Sequence, residues 1–227
     1  MRLKDKVALI TGADGPIGTA TALRFAREGA TVVLNDIISK HLERVAAEIA
    51  QVELGRSLIA LGDPTRPAHV ERAVRETVEA FGRIDVLVNN AGDHEDAALE
   101  GAALWAEAVL PMMRERGAGR VINTSAAGAV GHVGHARSAP ADAVIVLTRK
   151  LAVENARYGV TVNCVAPGAT AIAMPPAVED ALVALIPMGR VADPREVAAV
   201  HVFLASDDAA YVTGQVIFVD GGLSVAA

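Results

Sequence analysis

The stretch that decides the fold is Val7-Ala8-Leu9-Ile10-Thr11-Gly12-Ala13-Asp14-Gly15-Pro16-Ile17-Gly18. Its first four residues are apolar without alternation, as expected of a strand covered on both faces in a parallel sheet. The glycines that follow make a tight turn. Pro16 suits the first position of a helix, where its missing N–H has no partner anyway. That helix is expected to run from about Pro16 to Glu28. The same alternation repeats outward: strands over 31–35, 57–61, 85–88, 120–124, 160–164 and 215–219, and helices over 40–52, 67–81, about 96–115, 138–158 and 194–205. Strands alternating with helices in this way are parallel and joined by right-handed crossovers. The expectation is an α/β fold, a doubly wound parallel sheet of about seven strands, with residues 1–227 forming one domain.

Composition removes several function classes. The chain has 227 residues, is 52% hydrophobic and carries a formal net charge of −6. Its mean hydropathy is +0.35. Lys and Arg never cluster, so no nucleic-acid surface is expected. No apolar run approaches the roughly 18 residues of a membrane span. One cysteine, Cys164, leaves no disulfide framework. The N-terminus enters a strand without a signal-peptide core, and a cytoplasmic location is expected.

The glycine turn at the end of the first strand allows backbone N–H groups and a helix dipole to face a pyrophosphate. Asp36 ends the second strand, where a carboxylate can accept from the ribose 2′-hydroxyl of NAD. Asn35 and Ile37 flank it, so no Arg or Lys is adjacent to receive a 2′-phosphate. Asn89-Asn90-Ala91-Gly92 follows the fourth strand, at the edge where such sheets bind ligands.

Together with Asp63, Gly119 to Ser125, Asn163 to Gly168, Gly189-Arg190 and Tyr211 to Gly222, these motifs resemble the short-chain dehydrogenase/reductase family over essentially the whole chain. The resemblance implies a Rossmann-type dinucleotide-binding domain, a nicotinamide cofactor and an oligomer, usually a tetramer. It assigns Gly12, Ile17 and Gly18 to the phosphates, Asp36 to the ribose and Asp63 to the adenine amino group. Asn89, Ala91 and Gly92 line the adenosine side. NAD is the cofactor implied. Pro16 at the family's middle glycine and Asp14 beside it are expected to weaken its binding.

The family's chemistry resembles a proton relay. A Ser and a Tyr hold the substrate oxygen, a Lys four residues after the Tyr lowers its pKa, and an Asn feeds the relay through water. A phenol with a pKa of about 10 needs such a cation to act near neutrality. Carried onto this chain, the Tyr position falls on Ser138, the Lys on Asp142, the Ser on Ser125 and the Asn on Ala98. The only tyrosines are Tyr158 and Tyr211, followed four residues later by Val162 and Gln215, so no Tyr-x-x-x-Lys pair exists. The segment between Gly92 and Ala98 is short by about 20 residues against a chain of ordinary size for the family.

Three functions are then open. The first expectation is a pseudoenzyme: a catalytically degenerate, non-catalytic subunit of a hetero-oligomeric NAD-dependent alcohol or hydroxyacyl-CoA dehydrogenase. Such a subunit would pair with a competent paralogue in a tetramer, or otherwise form a homo-oligomer. The second is an atypical active NAD-dependent oxidoreductase, or another enzyme, with chemistry rebuilt from Ser125, His135 and Asp142. The third is an NAD-binding sensor. His132 and His135 without a clear third ligand do not suggest a metal site.

Overall fold

In the computed structural model, which describes residues 1–91, 95–125, 139–171 and 176–226, successive residues of the first strand pack on opposite faces of the sheet. Strand β1 (Val7–Thr11) is buried throughout. Ala8 and Ile10 join one core cluster, while Val7 and Leu9 join the other. This is the period-two geometry of a strand covered on both sides.

The remaining strands are β2 (Thr31–Asn35), β3 (Arg56–Ile59), β4 (Val86–Asn89), β5 (Gly119–Thr124), β6 (Val160–Pro167) and β7 (Val216–Val219). They form one seven-stranded sheet in the order β3-β2-β1-β4-β5-β6-β7, with every pairing parallel. Helices α1 (Pro16–Arg27), α2 (Ser39–Ile49) and α7 (Pro194–Ala205) bury Phe25, Leu42, Val45, Val197 and Val202 against one face. Helices α3 (Pro67–Phe81), α4 (Glu95–Arg116) and α5 (Ala139–Asn155) cover the other with Val70, Trp105, Met113 and Ala152. A further helix, α6 (Pro176–Val183), lies after β6.

The direction in which strands are added to the sheet reverses between β1 and β4. After β3 it crosses back to lay β4 on the free side of β1, opening a crevice at the strands' C-terminal ends. At the opposite end, Asp85 accepts from the Val7 N–H at 2.8 Å and pairs with Arg83 and Arg116. Burial alone would raise Asp85, but the hydrogen bonds from Arg83 and Val7 and the charge of Arg116 outweigh it and hold its carboxyl below the usual range. No helix among the described residues is long and apolar enough to cross a membrane.

Candidate cofactor cleft and active site

The crevice is built first from glycine geometry. Gly12 has φ of +63°, and a Cβ there would stand 2.8 Å from Ala91 Cα. The turn therefore lies directly against the end of β4. A Cβ on Gly18 would overlap the Gly12 carbonyl oxygen, so the first turn of α1 folds back onto the loop only with glycine there. Gly15 is the N-cap of α1, Pro16 follows at its start, and no side chain caps the helix. The helix presents its positive end and its first-turn amides without a protein side chain answering them.

Short polar bonds hold the rim. Thr11 Oγ1 accepts from the backbone N–H groups of Asn90 and Ala91, each at 3.0 Å. The Asn90 side-chain amide donates to the Gly12 carbonyl at 3.1 Å. Asn89 turns the other way: its amide donates to Asn123 Oδ1 at 2.9 Å, and Asn123 donates to Thr148 Oγ1 on α5 at 2.8 Å. Asn89 is thus a buried tie between β4 and β5. Among the described residues of that motif, Asn90 and Ala91 face the cleft.

The cleft has a volume of about 810 Å³, within the range of small-molecule sites. Asp36, Ile37 and Asp63 line one part, Gly12, Pro16 and Ile17 another, and Thr124, Ser125 and Thr170 a third. Asp36 is 9% exposed and accepts from the Ile37 N–H at 2.7 Å and the Asp14 N–H at 3.4 Å. Burial, with the Asp14 carboxylate alongside, pushes Asp36 up to about 6. Asp63 differs. Its Oδ1 accepts from Thr65 Oγ1 at 2.7 Å and Thr65 N–H at 2.9 Å, and these bonds, with Arg66 nearby, hold its carboxyl below the usual range.

Of the expected relay positions, Ser125 lies in the cleft at the end of β5, its N–H donating to the Val165 carbonyl at 2.9 Å. Ala98, on α4, packs with Val144, Ile145 and Cys164 and offers no polar atom. Asp142 falls in the first turn of α5, with its side chain outside the described residues. Gly92, His132, His135 and Ser138 lie outside them altogether. Among the described residues there is no group of three or more His, Cys, Asp or Glu placed to hold a metal.

Sequence reasoning missed Asn90, Thr124 and the Asn89–Asn123–Thr148 chain. The signal for Asn90 was present, because it is the first residue past the C-terminal end of β4, where ligands of such sheets bind. Thr124 Oγ1 is buried, lines the cleft and has no hydrogen-bond partner among the described residues.

The comparisons with known proteins agree with this geometry. A family model described as short chain dehydrogenase matches residues 6–182. The chain is 38% identical over 246 positions to a hydroxy(phenyl)methylsuccinyl-CoA dehydrogenase subunit, BbsD, of Thauera aromatica, covering 99% of each. It is 39% identical to the 3-oxoacyl-acyl-carrier-protein reductase FabG of Thermotoga maritima, covering 99% of this chain and 100% of that one. A crystal structure of levodione reductase superposes with a TM-score of 0.90 at 37% identity, covering 100% of both chains. The alignment to the first relative is longer than this chain of 227 residues, so that relative carries stretches this chain lacks.

These relatives overturn the expectation of a pseudoenzyme serving as the non-catalytic subunit beside a competent paralogue. Proteins matching along nearly the full length are named as a dehydrogenase subunit and as reductases, and none of these names marks a catalytically dead protein. The physical reason lies in what the missing pair did. Tyr and Lys move a proton, and side-chain proton transfer contributes about 10²- to 10⁴-fold. The hydride chemistry belongs to the cofactor, and the scaffold that would hold it is present. Replacement of the relay's Tyr, Lys and Asn by Ser138, Asp142 and Ala98 is a change of machinery and does not by itself establish loss of activity.

Proposed function

Because the chain belongs to the short-chain dehydrogenase/reductase family, we propose that it is an atypical active NAD-dependent oxidoreductase, interconverting a secondary alcohol and a ketone with a rebuilt proton step. The observation that carries this reading is the single cleft joining the glycine turn, Asp36 and Ser125. The residues fit a dinucleotide: Gly12 leaves open a cradle that a Cβ would close against Ala91, and α1 presents an uncapped N-terminus. Gly12, Ile17 and the first-turn amides would hold the pyrophosphate, Asp36 the ribose and Ile37 the apolar side of the base. Pro16 contributes no N–H, and Asp14 adds negative charge, so the ribose end carries more of the binding than the phosphate end. When bound, the nicotinamide supplies hydride transfer.

Ser125 would hold the substrate oxygen, and His135 would take the alcohol proton, with Asp142 answering the imidazolium that results. This reverses the family's electrostatics consistently. A phenolate needs a neighbouring cation, whereas an imidazole with a pKa of about 6.5 works near neutrality and is helped by an anion. The simultaneous loss of Tyr and Lys then has one cause. The reading extends to residues 1–227 as one dinucleotide-binding domain, to a homo-oligomer and to the cytoplasm.

The test is NAD-dependent oxidation of a panel of secondary alcohols, with His135→Gln and Ser125→Ala alongside. Expected are turnover in the native chain, a loss of roughly 10²-fold or more in each variant, and unchanged NAD affinity in both. A native rate with a midpoint in the histidine range accords with the assignment. Full activity in His135→Gln, or no turnover over a broad panel by a chain that binds NAD, refutes it.

A further inference from the structure

The acid end of the cleft holds a group that the family resemblance does not assign. Asp14 sits in the glycine turn, one strand over from Asp36, and β1 pairs with β2 in a register that brings Thr11 beside Asn35. The two acidic side chains are thereby set at the same corner, both lining the cleft. Asp36 Oδ2 accepts from the Asp14 N–H at 3.4 Å. From α2, His41 Nδ1 stands 3.3 Å from Asp14 Oδ2.

We propose that Asp14 makes dinucleotide binding proton-linked: the Asp14–Asp36 pair holds a proton in the free protein and releases it when the ribose hydroxyls of NAD arrive. This rests on the NAD reading of the cleft. The chemistry follows from the donor set. A ribose presents O–H groups, for which an ionised carboxylate is the stronger acceptor and a protonated one the weaker. Two carboxylates facing one corner cannot both ionise without repulsion, and burial adds to the cost. The binding step is therefore a protonated Asp36 plus NAD giving the ionised Asp36–NAD complex plus one proton to solvent.

The other charged groups around the corner do not undo this. His41, from α2, stands against Asp14 rather than Asp36. Asp63, from the connection between β3 and α3, is committed to Thr65 and Arg66. Lys40, on α2, is exposed. The position of Asp36, pushed up to about 6 by burial and then by Asp14, sets the window.

The experiment is isothermal titration of NAD into the full chain between about pH 5 and 8, in two buffers of different ionisation enthalpy. With Asp36 half protonated near pH 6, about half a proton is released per NAD there, and affinity at about pH 5 is roughly tenfold below its value above pH 7. In Asp14→Asn the midpoint moves to lower pH and the release near pH 6 falls. In Asp36→Asn binding is weak and independent of pH. A flat profile in the native chain, or an Asp14→Asn profile that superimposes on it, overturns the inference while leaving the NAD reading intact. No NAD binding by any of the three proteins at any pH overturns the NAD reading, and the inference with it.

Discussion

His201 gives the sharpest test of how this fold responds to acid. It lies on α7 where that helix packs against α1, with 0% exposure. Its Nδ1 makes a 2.9 Å hydrogen bond with Thr21 Oγ1, while Nε2 has no partner among the described residues. Burial pushes the imidazole down to about 4. In the unfolded chain the same group protonates near its ordinary value of about 6.5. The folded-state value is depressed, so the unfolded state gains protons first as pH falls. The stability linked to this group is complete above about 6.5 and is lost progressively toward 4. At about pH 5 the loss amounts to roughly 2 kcal/mol, equivalent to about 4–8 °C in Tm for a chain of this size. Asp36 works with the opposite sign, since its raised value makes the folded state the better proton binder between its ordinary range and about 6. A single pH profile therefore mixes the two. The clean assay is urea unfolding of the native chain and His201→Gln at about pH 7.5 and 5, because the Asp36 contribution is common to both and cancels. The variant is expected to lose roughly 2 kcal/mol less than the native chain over that interval, whatever its absolute stability. Equal losses in the two proteins would refute the assignment of a buried neutral imidazole.

Two further substitutions probe the scaffold. Gly18→Ala places a methyl group against the Gly12 carbonyl and 2.9 Å from Ala13 Cα; it should destabilise by about 1–3 kcal/mol and remove the Tm increase expected from NAD under the proposed function, both read by thermal melts with and without NAD. Asp85→Asn leaves Arg83 and Arg116 facing a neutral amide at the bottom of β4. Breaking a buried pair costs about 3–5 kcal/mol, reduced to about 2 here because both guanidinium groups reach solvent, and the unfolding midpoint in urea measures it.

The parts of this protein that were legible in its sequence are those where one local rule acts alone. Strand β1 and its turn were readable because an unbroken apolar run, a positive-φ glycine and a helix-starting proline each point to the same geometry. Strand β6 is longer than the expected 160–164, running on through Val165 and Ala166 to Pro167. In the sheet, Pro167 takes the last register position opposite Val219, at the point where the strand leaves the sheet. Helix α6 escaped because its sequence opens on Pro175-Pro176, although proline at a helix start is favourable and Pro176 is its first residue. The unread features share a different origin. Asp14 and Asp36 are 22 residues apart, and Thr21 and His201 are 180 apart. Only strand order and helix packing bring each pair together. The same distinction separates the two halves of the site. A dinucleotide is held largely by backbone shape, which short motifs encode, so the cleft was expected from its glycines and from Asp36. Proton transfer depends on a few side chains meeting at hydrogen-bond distance, and chain positions alone specify no such meeting. Reading inactivity from an absent Tyr-x-x-x-Lys pair treated one solution to that transfer as the only one. The relatives removed that conclusion, and the charge reversal from Lys to Asp142, with His135 in the preceding segment, is the alternative they leave to be measured.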